Sequence, residues 1–234
     1  SMMGFDTFTS KECMNISQYT PNGNWPTDDV LVQETVKAMN ATENQSDFVY
    51  TITVEGHGDY PTEKVLENPD ILVSGAADEA SNNQWEYYVN MIHEVDDFIG
   101  DLITAVDRRG EDTIIVFFGD HLPTMGLTDA DMKSGDIFKT KYITWNNMGL
   151  AKKDADLTAY QLLAHITDQS GIHEGTMFRY HQTQTASETY LSGLEDLQYD
   201  LLYGKRYSYG GEDRFPASDL VMDVEDVTVS SVRK

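Results

Sequence analysis

The stretch Thr113-Ile-Ile-Val-Phe-Phe-Gly-Asp-His121 decides how the rest of the chain is read. Five apolar residues in a row, rich in β-branched and aromatic types and closed by Gly119, predict a strand buried on both faces of a sheet. At its C-terminal end stand a carboxylate and an imidazole, Asp120 and His121. In open α/β sheets that end is where ligands bind. An adjacent oxygen donor and nitrogen donor suit a divalent metal such as Mn²⁺ or Zn²⁺. The plain alternative is an aspartate that simply starts a turn.

Upstream, Phe48-Val-Tyr-Thr-Ile-Thr-Val54 is the next clear strand pattern, and it ends in the polar cluster Glu55-Gly-His-Gly-Asp59. Parallel alignment of the two strands would bring His57 to the same sheet edge as Asp120 and His121. Between them, residues 60–83 read as a surface excursion, and Gln84 to Arg109 carry a broad apolar stripe that predicts a crossover helix. Arg108, Arg109 and Gly110 close that helix, cations at the negative end of its dipole followed by a terminating glycine. His93 lies within it without a partner at ligand spacing, and reads as structural.

Closer to the N-terminus, residues 4–27 read as a loop around Phe5, Phe8 and Trp25, broken by Pro21, Asn22-Gly23 and Pro26. Thr27-Asp28-Asp29 then gives an N-cap signal for a helix to about Thr42. Downstream of His121, the segment Asp129 to Asp136 resembles a calcium loop only superficially. Lys133 occupies a ligand position, Ser134 replaces the turn glycine, and Thr140 stands where a bidentate Glu belongs. A third strand is expected at Lys141–Asn146, helices at Thr158–Ser170 and around Leu191–Leu202, and short strands in the tail of residues 210–234. The polar stretch from Gly175 to Ser187 carries no helical pattern. His165, His173 and His181 share no geometry and read as surface or core-edge residues.

Composition narrows the function classes. With 40 acidic against 16 basic residues, the formal net charge of −24 at pH 7 opposes nucleic acid and anionic membrane surfaces. A hydrophobic fraction of 40% supports a packed core across 234 residues. The single cysteine, Cys13, excludes an internal disulfide and a cysteine-based zinc site. No apolar run reaches the length of a membrane span, and the first residues lack a basic region followed by an apolar one, so neither a membrane segment nor an export signal is expected within these residues.

The order of these features resembles the sulfatase and alkaline phosphatase superfamily: a strand ending in His57, a long helix from Trp85, Gly119-Asp120-His121, then Tyr142-Ile-Thr-Trp-Asn-Asn147 and the helix from Ala159 to Gly171. Within it, the chain is most similar to the lipoteichoic acid synthase and phosphoglycerol transferase branch. The resemblance covers about residues 4–209. It implies an α/β fold with a mostly parallel sheet flanked by helices, incomplete in its N-terminal half, followed by a small C-terminal β element in the tail. It also implies a divalent metal, manganese foremost, held by Asp120 and His121, and substrate contacts from His57 and Trp25. The implied substrate is a glycerophosphate or phospholipid headgroup, handled at the extracytoplasmic face of the cell membrane. The family's nucleophilic Thr and first metal-binding Glu find no counterpart here, and Thr27 stands where an Arg is expected two residues after the family's Trp. This departure implies a chain inactive by itself, and an uncovered sheet edge open to homo-oligomer formation. Two other functions remain open at this point: a metal-dependent phosphodiesterase or sulfatase using Asp120, His121 and His57 with Glu55 or Asp59, and an acidic binding module without chemistry.

Overall fold

The computed structural model describes residues 4–210. These residues divide into two compact units, Thr9–Gly149 and a second formed by residues 4–8 with 150–210. The first is built on helix α1 (Val30–Met39), helix α2 (Glu79–Asp107) and strands β1 (Ile114–Phe118) and β2 (Tyr142–Asn146). Apolar side chains at helical spacing give α1 and α2 facing stripes, and Leu31 of α1 meets Phe98, Leu102 and Val106 of α2 in a buried cluster. Ile115 and Phe117 of β1 and Trp145 of β2 pack on that cluster. Burial of each such side chain contributes roughly 2 kcal/mol. At the far end of α2, Arg109 binds the Asn40 side chain and Glu111, which fixes the exit of α1 against the exit of α2.

The expected mostly parallel sheet is corrected by the strand pairing. β1 and β2 are antiparallel, with Ile114 opposite Asn146 and Phe118 opposite Tyr142. Parallel return needs a long crossover, usually a helix, whereas residues 119–141 hold only a 3₁₀ turn at Asp129–Asp131. The Phe48–Val54 segment joins no strand among the described residues. Side chains tie it down instead: Thr51 shares a hydrogen bond with Thr35 of α1, and the Val54 amide goes to the Asp28 carboxylate. β1 is also not buried on both faces. Phe118 is exposed, as are Tyr50 and Ile52 of the preceding segment and, on the opposite face of the ladder, Ile143 of β2.

α2 begins earlier than its apolar stripe, capped by Asp78, whose carboxylate accepts the Ser81 amide. It holds the excursion of residues 60–78 through an apolar cluster of Tyr87 and Met91 with Tyr60, Val65 and Leu66, and through polar side chains beside it. Asn90 binds both the amide and the carbonyl of Ile71, Glu86 accepts the Val73 amide, and Gln84 donates to the Tyr60 carbonyl. These bonds explain why Glu86 and Asn90 are buried despite being polar.

The second unit contains α3 (Ala159–Gln169), α4 (Thr176–Gln184) and α5 (Tyr190–Leu202). The polar stretch after Gly175 is therefore helical, contrary to expectation. Tertiary contacts account for it: Gln182 of α4 donates to the carbonyls of Ala164 and Ile172, and buried His181 bonds the Tyr190 hydroxyl at 2.7 Å. Tyr180 stacks on Tyr190 with ring centroids 5.8 Å apart. Phe8, expected to anchor a loop, is exposed. From residue 211 onward the tail expected to form short strands lies outside the described residues.

Candidate functional site

The four residues singled out from the sequence, Trp25, His57, Asp120 and His121, come together in the first unit. The His57 ring lies edge-on to Trp25, with centroids 4.9 Å apart, and edge-on to His121 at 6.2 Å. Asp120 continues the row, its Oδ1 standing 3.7 Å from His121 Nε2. The first two contacts join segments far apart in sequence, and the third joins chain neighbours.

Each side chain is positioned differently. Trp25 closes a tight turn in which the Thr20 amide donates to the Trp25 carbonyl and Tyr19 bridges Pro26. Its indole N–H donates to the Gly58 carbonyl at 3.0 Å. That donor is thus committed to the protein, and what remains for a ligand is the ring. His57 sits in a loop held on nearly every side. Its own amide donates to the Val54 carbonyl, the Tyr60 hydroxyl donates to Gly56, and the Asn22 amide group donates to Asp59. A Cβ at Gly56 would come within 2.9 Å of Ile92 Cδ1 on α2, so the tip of that side chain would have to move aside. The His57 side chain nevertheless stays exposed.

Asp120 and His121 follow the β1 edge. The Gly119 amide donates to the Lys141 carbonyl, which anchors the start of the loop at the open end of the β ladder. The Asp120 carboxylate accepts the His121 amide at 2.8 Å. His121 Nδ1 lies 2.9 Å from the Leu122 carbonyl, an acceptor only, so that nitrogen carries the proton. In the neutral imidazole Nε2 is then the nitrogen with the free lone pair, and it faces the Asp120 carboxylate. Backbone fixing of the tautomer is the arrangement that metal-ligating histidines use. The donor pair therefore fits a divalent cation. No group of three or more His, Cys, Asp or Glu side chains gathers into a metal site among the described residues.

Behind His57 lies a pair of buried carboxylates. Asp28, 1% exposed, accepts the Val54 amide at 2.8 Å and the Glu55 amide at 3.1 Å. Burial pushes its carboxyl up to about 6, against the opposing pull of those two amides. Glu55 is pushed up to about 7, by burial first and by the neighbouring Asp28 charge second. The sequence signal at Thr27-Asp28-Asp29 was an N-cap, but no side chain there caps α1. Thr27 bonds the Asp29 carboxylate, while that of Asp28 turns to the His57 loop. Asp59, the other acidic neighbour considered, is exposed with φ of 66°.

Comparison with known proteins defines the class. Residues 1–192 match the family described as Sulfatase, and the chain belongs to that family. It is also similar to a putative cyclic beta-1,2-glucan modification protein of Rhizobium meliloti (strain 1021), 26% identical over 247 aligned residues. That alignment takes in 88% of this chain but 38% of the relative, so the chain spans well under half of the relative's length. No solved structure matches. Among the described residues no helix is long and apolar enough to cross a membrane.

Proposed function

We propose that the Trp25, His57, His121 and Asp120 row binds the phosphate ester of a glycerophosphate headgroup beside a divalent cation, as the substrate-holding part of a phosphoglycerol transferase of the lipoteichoic acid synthase type. The observation that carries the reading is the juxtaposition of the exposed His57 imidazole with a His121 ring whose Nε2 is turned toward a carboxylate. Asp120 and His121 hold the cation, with Mn²⁺ the best match to one oxygen and one nitrogen donor. The cation supplies charge neutralisation at the ester oxygens. His57 donates a hydrogen bond to the same phosphate, and the Trp25 ring sets the orientation of that imidazole. A chain of net charge −24 repels an anionic ester at long range, so ester binding depends on the cation. The extracytoplasmic face of the membrane is the setting, and a glycan acceptor is in keeping with the name of the Rhizobium relative.

The reading assigns no nucleophile to these residues, so binding is expected without rapid turnover by this chain alone. Titration calorimetry with Mn²⁺ and glycerol 1-phosphate tests it. Glycerol phosphate should bind only with Mn²⁺ present, Asp120→Asn should weaken Mn²⁺ binding at least tenfold, roughly 1.4 kcal/mol, and His57→Ala should weaken the ester but not the metal. Absence of Mn²⁺ binding to the wild type would sink the proposal. Mn²⁺-dependent hydrolysis of a chromogenic glycerophosphodiester, lost in Asp120→Asn, would replace it with a hydrolase.

A further inference from the structure

We infer that Asp28 and Trp25 act as a clamp that positions His57, by holding the 54–58 loop from behind while leaving the imidazole open. The inference rests on the reading of His57 as the ester-binding residue. Asp28 accepts the amides of Val54 and Glu55, and Trp25 donates to the carbonyl of Gly58, so the loop is gripped on both sides of His57. Both grips come from one short segment, residues 25–28. Its own geometry is set by the Thr20 and Trp25 backbone pairing and by the Asp28 carbonyl, which accepts the Leu31 amide as α1 begins. The clamp is therefore rooted in the helix that forms the core with α2.

Two observations separate this from simple helix capping. The Asp28 carboxylate makes no cap bond to α1, although it stands at the helix entry. A carboxylate 1% exposed is costly to bury, and among the described residues its hydrogen bonds go to the Val54 and Glu55 amides of the His57 loop. Bonds from amides to a carboxylate are also stronger than neutral ones, which suits a group that must hold a loop still. The indole adds a second restraint by lying edge-on against the imidazole itself, at 4.9 Å. Together they fix both the backbone and the ring plane of His57, and a side chain held this way loses little freedom when it meets a ligand.

The test uses Asp28→Asn and Trp25→Phe in the full chain, each read by amide hydrogen exchange, by NMR of the histidine ring nitrogens, and by calorimetry with Mn²⁺ and glycerol 1-phosphate. Asp28→Asn should speed exchange at Val54 and Glu55 by about tenfold and weaken glycerol phosphate by about tenfold, with Mn²⁺ affinity within about twofold of wild type. Trp25→Phe keeps a ring but loses the N–H, and should weaken the ester about threefold. Faster exchange with unchanged ester affinity overturns the clamp, as does unchanged exchange. If Asp28→Asn fails to fold, Trp25→Phe decides, and wild-type ester affinity there overturns it. If the wild type itself binds no glycerol phosphate, the functional reading fails separately. The clamp is then judged by the His57 ring resonances, which must move in Asp28→Asn while those of His165 and His173 stay fixed.

Discussion

The two loops that carry the candidate site are built in opposite ways. The His57 loop is held by side chains of Asn22, Trp25, Asp28 and Tyr60, all reaching its backbone from outside. The Asp120 loop, beyond its anchor at Lys141, is held by bonds to its own neighbours, with the Asp120 side chain 80% exposed. A side chain that must meet an anion with correct geometry gains from being fixed beforehand. A metal ligand can be ordered by the cation it binds, because the coordination bonds repay the ordering. The difference predicts that the His57 side is structural as well as functional, and that the Asp120 side is functional only.

Mutation and titration can break that contrast, and the largest effect is expected at Asp28. Asp28→Ala leaves the amides of Val54 and Glu55 without their acceptor inside the fold, and should cost about 2–4 kcal/mol in urea unfolding. A loss under about 0.5 kcal/mol would remove the structural half of the comparison. Next comes pH. Glu55 has a folded-state value raised to about 7 from 4.5, so the folded state binds its proton more tightly than the unfolded state does. The stability this contributes is complete below about pH 4.5 and is lost as pH rises through 7, on the order of 1–3 kcal/mol. Glu55→Gln should flatten the urea midpoint between pH 5 and 8 relative to wild type, measured at high salt to suppress the background of net negative charge.

Smaller effects probe the other loop. Mn²⁺ at about five times its wild-type dissociation constant should stabilise the wild type by about 1 kcal/mol, seen as a rise in Tm, and should raise the Tm of Asp120→Asn by about a quarter of that or less. Smallest of all, Asp120→Asn in EDTA should unfold within about 0.5 kcal/mol of wild type, because an exposed carboxylate with local bonds contributes little to folding. A large loss there would mean that the Asp120 loop is as deeply built into the fold as the His57 loop.

Much of this arrangement was legible in the sequence, through local patterns. The apolar stripe of α2, the unbroken run Ile114–Phe118, the pattern at Tyr142–Asn146 and the helix of α3 all showed themselves by local apolar patterning, which depends on near neighbours. α4 did not, because what makes it a helix is the bonding of Gln182 and His181 to other elements. The parallel sheet was misread for a related reason. Strand direction is set by the connection and by the partner that is available, neither of which an apolar run specifies.

The sequence by itself determined which chemistry-bearing residues follow strand-like segments, because a polar cluster ending an apolar run is a local signal. It pointed to Asp120 and His121 as neighbours by covalent necessity. Only the tertiary structure decided that His57 lies between Trp25 and His121, and that Asp28 serves the His57 loop instead of its own helix. Those contacts join positions tens of residues apart, and they exist only when α1, α2 and the β pair have packed, since burial in that packed state is what turns a carboxylate at a helix entry toward the nearest amides that can satisfy it.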